Sequence, residues 1–111
     1  MSSTTITRGN SHETFYIYPV LDNTSNSLAA NTTTAVTYTI PGILSTDIIT
    51  VIGYNGTQTA GVVVAEADAT AANTVQVQFG NLTATATLKP ASGAYTIQVT
   101  RLEGPAPTTA V

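Results

Sequence analysis

His12 is the only histidine of the chain, and there is no cysteine. Zinc is held by several Cys, His or carboxylate ligands, so a single imidazole gives it little to bind. A Ser/His/acid triad would also have to be built on His12, which sits in a polar N-terminal stretch. That stretch offers no rigid shell of the kind nucleophilic catalysis needs. Glu66 and Asp68 stand two apart and share one face of an extended chain. Such a pair could bind calcium or exchange protons, but two carboxylates alone fall short of either site. They read as solvent-facing residues at a strand end. Phosphate-loop and glycine-fingerprint spacings are absent, and the Asn-x-Ser/Thr sequons at Asn23, Asn31, Asn55 and Asn81 carry no weight at this Ser/Thr density. The expectation is a protein with no catalytic, cofactor or metal site.

The remaining residues with chemical potential are aromatic. Phe15, Tyr16 and Tyr18 cluster near the N-terminus. Tyrosine and phenylalanine can stack on sugars or bases, or anchor a partner protein. Base stacking goes with a basic groove, and only three Lys and Arg residues are present. On strand alternation Phe15 and Ile17 face one way and Tyr16 and Tyr18 the other. One pair is expected in the core and the other exposed or covered by a neighbouring subunit.

Thr is the commonest residue, with 23 copies, and Thr, Val and Ile together number 41. β-Branched side chains are stiff at χ1 and fit a pleated surface. The charged residues that clothe a solvated helix are scarce, with one Lys and three Glu. The predicted class is all-β: a single antiparallel β-sandwich, immunoglobulin-like or jelly-roll, of about seven strands. Strands are expected over residues 14–21, 33–40, 47–54, 61–66, 74–79, 81–88 and 94–102, with a possible helical turn over 67–73. Pro19 should end the first strand or hold it at an edge. The 47–54 strand, apolar on both faces, is expected to be central, and Asn55-Gly56 to turn a hairpin. The predicted inward set is Val36, Tyr38, Ile40, Ile48, Ile52, Val75, Val77, Phe79, Tyr95, Ile97 and Val99. Residues 1–13 are expected to form an extended arm, 14–103 the sandwich, and 104–111 a flexible tail.

Charged residues make up 8% of the chain and the net charge is −3. No basic patch can form, which disfavours nucleic acid and anionic membrane as partners. No apolar run approaches the ~18 residues of a membrane span, and the N-terminus lacks the apolar core of a secretory signal. Synthesis in a cytoplasm without export is expected. A surface of hydroxyls and amides suits packing against copies of the chain or a fixed partner.

Residues 36–101 resemble small β domains of tailed-bacteriophage virion proteins. The resemblance runs through ordered blocks: VTYTIPG at 36–42, TDIITV at 46–51, AANTVQVQF at 71–79 and KPASGAYTIQVTR at 89–101. The segment 55–61 departs from the Gly/Pro-rich loop usual there. The resemblance implies a non-enzymatic virion component with no functional residues to carry over. It points first to a capsid decoration (cement) protein on the capsid surface, with the major capsid protein as partner and self-association as a homotrimer. A tail, fibre or receptor-binding component is the alternative, and a lone bacterial immunoglobulin-like adhesion module a third reading. Candidate contacts are Arg8, His12, Phe15, Tyr16 and Tyr18. Arg8 is the only basic residue before Lys89.

Overall fold

Three segments alternate strictly between apolar and polar residues, and they supply the centre of the molecule. The computed structural model describes residues 11–102. It places seven strands in this stretch: β1 (Ser11–Ile17), β2 (Val20–Leu21), β3 (Thr33–Thr39), β4 (Ile48–Tyr54), β5 (Val62–Ala71), β6 (Thr74–Asn81) and β7 (Gly93–Leu102). They form two antiparallel sheets, and among the described residues there is no helix. The all-β, two-sheet architecture agrees with the sandwich expected from the sequence.

In the first sheet β7 is central, with β1 and β2 on one side and β4 on the other. In the second, β6 is central between β3 and β5. β4 lies against β5 between the layers, which leaves β1 and β3 on the opposite flank. Val75, Val77 and Phe79 of β6 and Tyr95, Ile97 and Val99 of β7 are completely shielded from solvent. The Phe79 ring meets Tyr95 edge-on at 6.4 Å. Removing this much branched and aromatic surface from water is the main drive for closing the sheets. Val36, Tyr38 and Ile40 from β3 and its end, Val62 of β5, and Leu21, Leu28, Ile43 and Ile49 also belong to the core.

Several expectations need correction. Ile48 and Ile52 do not point inward; they are 51% and 57% exposed, and Ile49 takes the buried place. β4 is not central but an edge strand, paired with β7 alone. Asn55-Gly56 does not turn a hairpin, because β4 and β5 belong to different sheets. The tight hairpin lies at Ala72-Asn73 between β5 and β6, with Asn73 at φ 58°. No helical turn forms over 67–73, since β5 runs on to Ala71. Residues 82–87 are not a strand; only Leu88 makes a bridge, to Leu28. β1 begins at Ser11, so residues 11–13 of the expected arm are part of a strand. Residues 1–10 and the expected tail lie outside the described residues.

Candidate interaction surface

Strand alternation decides which β1 side chains are available. Phe15 and Ile17 turn inward and pack on the core, while Tyr16 and Tyr18 turn out and are 54% and 63% exposed. Pro19 interrupts the strand, but the edge continues: Tyr95 donates its backbone N–H to Pro19 O at 2.9 Å, and Val20 pairs with Ala94. Val20 is 77% exposed and extends the tyrosine row.

The register carries that row across the sheet. Thr14 pairs with Thr100 and Thr100 with Ile48; Tyr16 pairs with Gln98 and Gln98 with Thr50. The result is a sheet face with tyrosines and Val20 on one flank, Ile48 and Ile52 on the other, and Thr96, Gln98 and Thr100 between. None of these outward residues is charged. A partner could cover this face without desolvating an ion, and the β-branched and aromatic side chains lose little rotamer freedom on contact.

The opposite sheet presents a different face. Glu66 pairs with Gln78 and Asp68 with Gln76, and both acids are exposed. They share a face, but in the middle of β5 rather than at its end. Among the described residues no third His, Asp or Glu joins them in a metal-binding group.

Between β1 and the β3–β4 connection lies an apolar groove of about 390 Å³, lined by Phe15, Ile17, Ile40 and Ile43 with Arg101 at its rim. Arg101 lies 5.3 Å from the Phe15 ring centre and bonds Asp47 Oδ2 at 2.7 Å and Oδ1 at 3.0 Å. Asp47 Oδ2 also accepts the Leu44 N–H at 2.9 Å. The guanidinium holds the Asp47 carboxyl below the usual carboxylate range. Both charges are consumed within the fold, fastening the β3–β4 connection to β7.

Of the candidate contacts, Tyr16 and Tyr18 stand on the uncharged face, and Phe15 lies beneath Arg101. His12 belongs to β1, and Arg8 lies outside the described residues. Sequence reasoning missed Ile48, Ile52 and Val20 as outward residues. The signal available was the doubly apolar β4, because in a two-sheet sandwich one face of every strand points away from the core.

No protein-family model, curated protein or solved structure matches this chain.

Proposed function

We propose that the chain is a non-enzymatic structural protein of a tailed-phage particle, binding the outside of the capsid as a decoration protein and stabilising it. The observation that carries this reading is the uncharged outer face of the β1–β7–β4 sheet, with Tyr16, Tyr18, Ile48 and Ile52 exposed. Exposed apolar patches of this kind mark interaction sites. Tyrosine anchors at a protein interface combine contact area with a hydroxyl that can find a partner. The resemblance of residues 36–101 to phage virion domains points to a capsid as that partner. A lattice offers many identical sites, so modest affinity per copy is multiplied by any association between copies.

The test is to separate heads from tails in purified particles that contain this chain and to probe each fraction for it. The proposal expects the protein in heads, released without loss of packaged DNA under mild conditions. Its presence in tails alone would overturn the proposal and favour a tail or fibre component.

A further inference from the structure

An exposed sheet edge is a template for another strand, and proteins normally blunt such edges with bulges, prolines or charges. Three of the outer strands here are blunted. β1 slips register between Ser11 and Glu13 and is followed by Pro19. β4 slips between Val51 and Gly53. β5 slips twice and carries Glu66 and Asp68. β3 has neither slip nor charge: its pairing with β6 runs unbroken from Thr33↔Gly80 to Thr39↔Thr74. Its one such device, Pro41, lies beyond the strand's last residue, and among the described residues no strand pairs with its outer edge.

The direction of its free main-chain groups is fixed by bonds at both ends. Ile40 donates its N–H to Asn73 O, and Asn81 donates its N–H to Thr32 O, both at 2.9 Å. In an antiparallel ladder the polar groups of alternate residues point the same way. Even-numbered residues from Thr32 to Ile40 therefore turn towards β6. Thr33, Ala35, Thr37 and Thr39 turn their N–H and C=O groups out of the sheet edge, and all four are exposed.

We infer that this edge pairs with the same edge of a second copy, antiparallel about a two-fold axis through Val36. The sequence is self-complementary in that register: Thr33 faces Thr39, Thr34 faces Tyr38, and Ala35 faces Thr37. Inward residues meet inward residues, so the core side of both sheets stays continuous. Cross-strand threonine pairs are favourable, and like charges opposite one another are not. Residues 32–42 contain no ionisable acid or base other than the Tyr38 phenol, so two copies approach without repulsion. The same operation on β5 would bring Glu66 and Asp68 up to their symmetry mates. Each three-stranded sheet becomes half of a six-stranded one, and the contact closes after two copies. The pairing does not rest on the capsid proposal and uses a different surface. It replaces the three-fold association expected from the sequence with a two-fold one.

The test is sedimentation equilibrium of the full chain at micromolar concentration, with two variants. Ala35→Pro removes an outward N–H that makes no bond to β6, and Thr37→Lys places a charge beside the two-fold axis. The expected result is a dimer for the unaltered chain. Both variants should dimerise roughly ten-fold or more weakly while keeping the same β-type circular dichroism. Ile52→Lys, on the separate sheet face, should dimerise normally. A monomeric or trimeric unaltered chain would overturn the inference, as would folded Thr37→Lys that dimerises undiminished.

Discussion

Asn23 shows how single residues fasten the end of the sandwich. Its side chain donates to Ala91 O at 2.9 Å and accepts from Asn26 Nδ2 at 2.8 Å and from the Tyr38 hydroxyl. Nearby, Tyr95 donates to Ala91 O at 2.6 Å, and Gln58 joins Tyr95 Oη to the Ala91 N–H. Buried polar groups are tolerated only when partnered in this way. Burial, more than any other influence, pushes the pKa of both the Tyr38 and Tyr95 hydroxyls above the ordinary phenol range. A raised folded-state pKa contributes stability that is complete below the unfolded value of about 10 and is lost as pH climbs towards the folded one. The melting temperature should therefore fall on the alkaline side, starting near that value, and Tyr38→Phe should flatten the fall. An alkaline limb unchanged in Tyr38→Phe, measured by calorimetry across pH, would remove Tyr38 from the account. Asn23 and Asn81 looked like chance sequons in the sequence, yet both are buried. Asn81 donates to Leu28 O and Ala86 O, a role set by tertiary partners that spacing does not reveal.

At the level of elements, strict alternation made β3, β6 and β7 legible, down to the buried Val36, Val77, Phe79 and Ile97. It failed for β4 because Ile, Thr and Val occupy both of its faces, so the pattern carries no phase. A register slip at Val51 and Gly53 blurs it further. Asn55-Gly56 has the composition of a hairpin, but the chain must cross to the other sheet there. Neither residue takes a positive φ, and Asn55 instead accepts from Thr96 Oγ1 at 2.5 Å. Asn73 wins the hairpin because its Oδ1 accepts the Gly42 N–H and its N–H reaches Ile43 O, each at 2.8 Å. Two glycines give a sharper check. Gly93 has φ 142°, and an added Cβ would sit 2.8 Å from the Tyr54 hydroxyl oxygen. Gly53 has open space in the same position. Gly93→Ala should cost about 1–3 kcal/mol, while Gly53→Ala should stay within about 1 kcal/mol of the parent. Equal costs in urea unfolding would contradict the placement of Tyr54 against the turn before β7.

For the whole molecule, the two sheets divide the labour. One turns an uncharged Tyr/Ile/Thr face outward; the other carries Glu66, Asp68 and the β3 edge, which no strand pairs among the described residues. The capsid-binding proposal assigns the first face to the lattice and leaves the second free for a neighbouring copy. The sequence signals an apolar outer row through the doubly apolar β4, but which of its residues face outward depends on the pairing with β7, which spacing does not reveal. The measurement that tests the capsid-binding proposal most directly is cosedimentation with particles stripped of the protein, comparing the unaltered chain with the Tyr16→Lys/Ile52→Lys double variant. Both substitutions are at exposed positions, so folding and melting temperature should be nearly unchanged. The double variant should bind particles at least about ten-fold more weakly, because two lysines must be desolvated on a face built without charge. Binding of the folded double variant at full strength would contradict it.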